Sequence, residues 1–210
     1  MIVLNYPNNP TGKILPKELQ NSIVEIAKKN NLYILSDEIY SNYSNEKWKS
    51  VLSYDYEKSI ITQSFSKSHS MTGYRIGYVI SSNEIIEKMA KLQSLGITNV
   101  SEPIQYVAMN SINDDVSQNG KVIRERLSTL SEIAQNMDLE FEIPEGAMYI
   151  FARTKDKINT SEFAEKLLDY GLAIAPGNAF GDYKNFFKIS ACIEKEKIMQ
   201  GMDILKAMLN

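Results

Sequence analysis

The sequence predicts an α/β chain: a mostly parallel sheet with flanking helices, followed by a small α+β domain. Three observations carry that expectation. Ile2–Leu4 and Tyr33–Leu35 are short apolar runs separated by a helical stripe, which makes a strand–helix–strand unit. The β-branched run Ile60-Ile61-Thr62 adds a further buried strand. Beyond Gly120, short strand patterns alternate with helical ones.

Taken in order, Ile2-Val3-Leu4 reads as a strand and Asn5 to Gly12 (N-Y-P-N-N-P-T-G) as a loop dense in turn formers. Pro16 opens a helix whose apolar stripe is Leu19, Ile23, Ile26 and Ala27, and which closes at Lys28-Lys29-Asn30-Asn31. Tyr33-Ile34-Leu35 follows as a strand ending at Ser36-Asp37-Glu38. A helical crossover between them predicts parallel pairing and a right-handed connection. Ile60 to Gln63 is the third strand. Arg75 to Ile80 is a fourth, too close behind it for a helical crossover, so antiparallel pairing is expected. Helical patterns then cover Asn83 to Leu95, on Ile85, Ile86, Met89 and Leu92, and the stretch from Pro103 through Met109.

Asn113 to Gly120 (N-D-D-V-S-Q-N-G) is polar and rich in turn residues. It predicts a boundary between a first domain over 1–117 and a second over 118–210. In the second, a long helix runs from about Lys121 to Met137, and strands cover Glu140 to Ile143 and Met148 to Arg153. A helix from Ser161 to Tyr170, capped by Thr160 or Ser161, precedes strands at Leu172 to Ala175 and Phe186 to Ala191. A helix from Glu194 to Leu209 ends the pattern.

Composition excludes several classes. The chain has 210 residues, 43% hydrophobic and 23% charged, the makeup of a globular protein. A net charge of −3 gives no electrostatic argument for nucleic acid or an anionic membrane as partner. The single Cys192 excludes an internal disulfide framework and is expected as a small buried hydrophobe. No apolar run approaches a membrane span and the N-terminus is no signal peptide, so a cytoplasmic location is expected.

Chemistry gathers at the strand ends. Lys67 follows the third strand, where a strand's carboxyl end opens into a loop, the usual place for ligands in an open α/β sheet. Ser64 and Ser66 flank it with hydroxyls, and Arg75 follows. An amine, two hydroxyls and a guanidinium in this order suit a phosphorylated aldehyde: the amine condenses with the carbonyl while serines and the arginine fork hold the phosphate. Asp37 ends the second strand, where an acid can face a ligand lying across the sheet, and Tyr40 lies three residues on. His69 and Glu38 read as structural, and Trp48 with the tyrosines from Tyr40 to Tyr56 as packing or subunit contact.

The stretch S-F-S-K-S-H-S-M-T-G-Y-R-I-G from Ser64 to Gly77 resembles the pyridoxal-phosphate lysine signature of class I/II aminotransferases at every restricted position. N-P-T-G at Asn9–Gly12 and S-D-E-I-Y at Ser36–Tyr40 resemble two further loops of that family. P-E-G-A-M-Y (Pro144–Tyr149), P-G-N-A-F-G (Pro176–Gly181) and K-I-S (Lys188–Ser190) extend the likeness, less specifically, over essentially the whole chain. The resemblance implies a fold type I protein, part of a cofactor-binding large domain plus the C-terminal small domain. It implies pyridoxal 5′-phosphate as cofactor and amino transfer between an amino acid and a 2-oxo acid. Lys67 is then the covalent anchor and proton shuttle, Asp37 the partner of the ring nitrogen, and Tyr40 and Asn9 the partners of the ring oxygen. Ser64, Ser66 and Arg75 hold the phosphate. A pyridoxal-phosphate C–S β-lyase shares this constellation, and a truncated, non-catalytic remnant acting as a binding or assembly module is the remaining alternative.

Two departures accompany the resemblance. Lys188 stands where the family carries the arginine that clamps the substrate α-carboxylate, and no arginine lies C-terminal to Arg153. Lysine offers a point charge without the planar fork, so the exchange is not conservative. Nor does an arginine lie in Ser94 to Ser101, where dicarboxylate-specific members carry a second clamp, which disfavours aspartate. Family members are also far longer, so the N-terminal half of the fold is expected to be lacking, with strand edges left open. A homodimer, or a partner supplying the missing half, is expected to cover them.

Overall fold

The computed structural model describes residues Met1–Thr154 and Ile158–Leu209. The chain divides into two compact units, Met1–Pro7 with Ile14–Gly120, and Asn8–Lys13 with the residues from Lys121 on.

In the first unit, β1 (Ile2–Asn5), α1 (Lys17–Lys29) and β2 (Ile34–Asp37) form the expected strand–helix–strand unit. β3 (Ser59–Ser64) adds to β2 in parallel, as β2 does to β1. β4 (Gly77–Ile80) pairs with β3 antiparallel, so the sheet runs in chain order and is mostly parallel. Leu4 and Ile34 pack with Val24 and Ala27 of α1 and with Val51. Strand alternation puts Val3, Leu35 and Ile60, in register with one another, on the opposite face.

The apolar stripe expected on α1 is corrected here. Its buried positions are Gln20, Val24 and Ala27, while Leu19 and Ile26 are 50% and 53% exposed. An amide occupies the core face because both its ends are paired: Gln20 Nε2 donates to the Lys49 carbonyl at 3.0 Å and Oε1 accepts the Tyr54 hydroxyl at 3.2 Å.

After β3 comes a single helical turn, α2 (Phe65–Ser68), then a tight turn over Thr72–Tyr74. Phe65, Met71 and Ile76 pack with Ala108 of α4 (Glu102–Ser111). α3 (Asn83–Gly96) precedes α4 and buries none of its residues.

α5 (Ser117–Gln135) begins inside the polar stretch expected as a boundary, four residues before Lys121. Its start is organised by Asp115, whose Oδ1 accepts the Ser117 N–H at 2.9 Å. In the second unit, β5 (Leu139–Glu140), β6 (Tyr149–Thr154), β7 (Ala175–Pro176) and β8 (Phe186–Ser190) form an antiparallel sheet in the order β5-β6-β8-β7. β5 and β7 are much shorter than expected, two residues each. α6 (Thr160–Asp169) and α7 (Lys195–Leu209) close the core, in which Leu130, Ile150, Leu167, Phe187 and Leu205 are fully buried. Asn159, not Thr160 or Ser161, caps α6, its Oδ1 accepting the Ser161 N–H. Thr160 instead points inward and donates to the Lys184 carbonyl. Cys192 is exposed rather than buried, because β8 stops at Ser190 and the thiol falls in the turn before α7.

The Asn8–Lys13 loop joins this second unit through its backbone. The Gly12 carbonyl accepts N–H groups of Glu145 and Gly146, both at 2.8 Å, and Lys13 pairs with Glu142 at 3.1 Å. Gly12 has φ +71°, and a Cβ there would lie 2.5 Å from Pro144 Cβ, so only glycine fits. Among the described residues, no helix is long and apolar enough to cross a membrane.

Candidate active site

In the first unit the site begins with strand register. Parallel pairing sets Asn5 and Asp37, the last residues of β1 and β2, side by side with Thr62 of β3. Their side chains share one face, and the row closes on the acid. Asn5 Nδ2 donates to Asp37 Oδ2 at 2.9 Å and Thr62 Oγ1 donates to Oδ1 at 3.1 Å. The carboxylate is therefore fixed by two neutral donors, one from each flanking strand.

Tyr40 follows in the turn after β2 and is buried, at 3% exposure. The Lys67 ammonium lies 5.8 Å from the centre of its ring. Lys67 belongs to α2, which Ser64 caps: its Oγ accepts the Ser66 N–H at 3.1 Å and donates to the Ile76 carbonyl at 3.3 Å. Arg75 is exposed and left-handed, φ 54°, with Nη1 donating to the Thr72 carbonyl at 2.9 Å. Gly77 closes the segment at the first position of β4, where a Cβ would meet the Gln63 carbonyl oxygen at 2.5 Å. The glycine lets β4 pair tightly with the strand that carries the lysine.

In the second unit, Lys188 of β8 donates from Nζ to Asn9 Oδ1 at 3.1 Å. Its ammonium also sits over the rings of Tyr149 and Phe180, at 4.3 and 4.7 Å, a cation held against two aromatic faces. A cavity of about 740 Å³ opens here, lined by Asn8, Asn9, Lys13, Phe151, Phe180 and Phe186 among others.

The structure thus places Asp37, Tyr40, Ser64, Ser66, Lys67 and Arg75 in the first unit, and Asn9 with Lys188 in the second. Asn5 and Thr62 escaped the sequence reading, although parallel register at the strand ends points straight to them. Glu38 is 1% exposed and accepts from the Ser36 hydroxyl, the Trp48 indole N–H and the Val51 backbone N–H. That network makes it a structural acid and explains Trp48. The His69 ring bridges Ser68 Oγ at 2.7 Å and the Ser111 carbonyl at 3.0 Å, tying α2 to α4.

The sequence matches the family described as aminotransferase class I and II over residues 1–205. It is similar to an aspartate aminotransferase of Thermotoga maritima, 34% identical over all of this chain and 56% of that protein. An aromatic-amino-acid aminotransferase of Thermococcus litoralis is 32% identical over 99% of this chain and 57% of that protein. The crystal structure of the Thermotoga maritima aspartate aminotransferase superposes with a TM-score of 0.92 at 33% identity, covering 99% of this chain and 56% of that one. The chain spans little more than half the length of the curated relatives it matches.

Proposed function

Because the chain belongs to the class I and II aminotransferases, we propose that it carries the lysine-bearing part of a pyridoxal 5′-phosphate enzyme moving an amino group between an amino acid and a 2-oxo acid. The setting of Asp37 supports this most. Asn5 and Thr62 are both neutral, so they orient the carboxylate without cancelling its charge. A carboxylate with its charge intact is what keeps a pyridine nitrogen protonated. The remaining groups suit the same ligand: an amine for the aldehyde, hydroxyls and a guanidinium for the phosphate.

When bound, the cofactor supplies an electron sink for the bond broken at the substrate α-carbon. The side chains then divide the work. Lys67 Nζ would hold the cofactor through its aldehyde and, once free, would move the proton at the substrate α-carbon as base and then acid. Asp37 would keep the ring nitrogen protonated, and Tyr40 and Asn9 would serve as partners of the ring oxygen. Ser64, Ser66 and Arg75 hold the phosphate. Lys188 pairs with the substrate α-carboxylate as a point charge steadied by Tyr149 and Phe180, without the directional fork of a guanidinium. The working form is an assembly of two copies, in which the apolar side chains left open on α3 and α4 are covered.

Titration of the purified chain with pyridoxal phosphate tests the reading. A visible absorption band is expected, and Lys67→Ala should abolish it while the far-ultraviolet circular dichroism is retained. An amino donor alone should then accumulate the aminated cofactor. Pyruvate and ammonia released from a sulfur amino acid would mark a C–S β-lyase instead. No band at saturating cofactor would leave a binding or assembly module and end the catalytic reading for this chain.

A further inference from the structure

Lys67 rides on a single helical turn, and one turn cannot close its own hydrogen bonds. Backbone N–H groups of His69, Ser70 and Met71 bond into that turn, and side chains complete the bonding of its carbonyls. The Ser64 carbonyl accepts from Ser68 Oγ at 3.1 Å and the Ser66 carbonyl from Thr72 Oγ1 at 3.0 Å. The Lys67 carbonyl accepts the Tyr43 hydroxyl, and the Ser68 carbonyl accepts from Asn119 Nδ2 at 2.9 Å. Ser68 and Thr72 are local. Tyr43 and Asn119 reach in from 24 residues before Lys67 and 51 residues after Ser68.

Tyr43 is 3% exposed and sits in the short turn Ser41–Tyr43, directly after Tyr40. That turn is fastened a second time to β3, since Gln63 Nε2 donates to Ser41 Oγ at 3.2 Å. The turn that carries Tyr40 is therefore bonded to the backbone of the residue whose ammonium lies over the Tyr40 ring. Asn119 belongs to the first turn of α5 and fixes the next carbonyl along.

We propose that Tyr43 and Asn119 are positioning residues for Lys67. Their hydrogen bonds to two successive carbonyls hold the turn so that Nζ stays on the Tyr40 side of the strand ends. Both hydrogen bonds are made to the backbone of the turn. The inference rests on the reading of Lys67 as the cofactor-bearing lysine, and it adds two residues that lie outside the lysine signature.

The test compares Tyr43→Phe and Asn119→Ala with Tyr56→Phe. The last removes a hydroxyl that donates to the Leu32 carbonyl at 2.8 Å, in the same unit but outside the lysine turn. Hydrogen exchange is read first, without cofactor, at the amides of His69, Ser70 and Met71, which bond back into the turn. Exchange should quicken about fivefold in Tyr43→Phe and in Asn119→Ala, the factor for one net hydrogen bond, and stay unchanged in Tyr56→Phe. Borohydride trapping of pyridoxal phosphate with peptide mapping follows, each variant held equally far below its own melting midpoint. The share of label on Lys67, relative to the other lysines, should fall in the first two variants only. Wild-type exchange and labelling in Tyr43→Phe and Asn119→Ala, or an equal fall in Tyr56→Phe, would overturn the proposal. A wild-type chain never labelled at Lys67 would instead defeat the cofactor reading, while the exchange rates still decide whether these two residues hold the turn.

Discussion

Asp37 shows how a side chain is set by its neighbours across a sheet rather than along the chain. Asn5 lies 32 residues before it and Thr62 25 residues after it, yet register alone puts them in one row. Removing a single donor should loosen the acid without removing it. Thr62→Val keeps the shape and deletes the hydroxyl, so it should weaken pyridoxal-phosphate affinity about fivefold, the effect of one net hydrogen bond of about 1 kcal/mol. Titration by absorbance checks this; equal affinities in Thr62→Val and wild type would mean Asp37 does not rely on the row. At this scale the sequence was informative where chemistry is local. Lys67 with Ser64 and Ser66, and Asp37 with Tyr40, are close in the chain and could be read together. Asn5, Thr62, Tyr43 and Asn119 act across long separations, and only pairing geometry joins them to the residues they serve.

The elements were legible to the extent that their apolar pattern decides their burial. β1, β2, β3 and β6 are apolar runs flanked by turn residues, and they form near their expected positions. α1 shows where the pattern fails: hydrophobicity points to Leu19 and Ile26, but a paired Gln20 is what the core accepts. The start of α5 failed for a different reason. Polar composition there reads as loop, whereas Asp115 uses its carboxylate to start a helix. Its carboxyl is held below the usual carboxylate range by the Ser117 backbone N–H and then by the Ser117 side chain. A carboxyl lowered on folding stabilises the fold above its unfolded pKa, and that contribution is lost as pH falls through the folded value. The melting midpoint of Asp115→Ala should therefore lie below wild type at neutral pH, and the two should converge in acid. A gap that persists unchanged at low pH would rule out the charged cap as the cause.

At the scale of the whole molecule, the decisive feature is apolar surface that the described residues leave open. α3 buries none of its side chains, and Leu92 and Leu95 are 70% and 77% exposed. Ile97, directly after α3, and Tyr106 and Met109 of α4 are exposed to a comparable degree. An apolar cavity of about 480 Å³ lies among Phe65, Ile76, Tyr78, Ala90, Ala108 and Met109 in the same region. A helix of this kind draws little stability from its own propensity and needs a packed face. Large apolar side chains exposed in such number on two consecutive helices point to an interaction site. A second copy meets the requirement most simply, because like chains form closed, self-complementary pairs. Sedimentation velocity should then report a mass of two chains that falls toward one on dilution. Leu92→Glu together with Leu95→Glu should shift the equilibrium to the single chain, since burying carboxylates in an apolar contact is unfavourable. Both side chains are largely exposed and neither belongs to the Phe65–Met71–Ile76–Ala108 cluster, so circular dichroism should keep its wild-type form. A wild-type chain that sediments as one copy at every concentration would exclude self-association as the cover for this face.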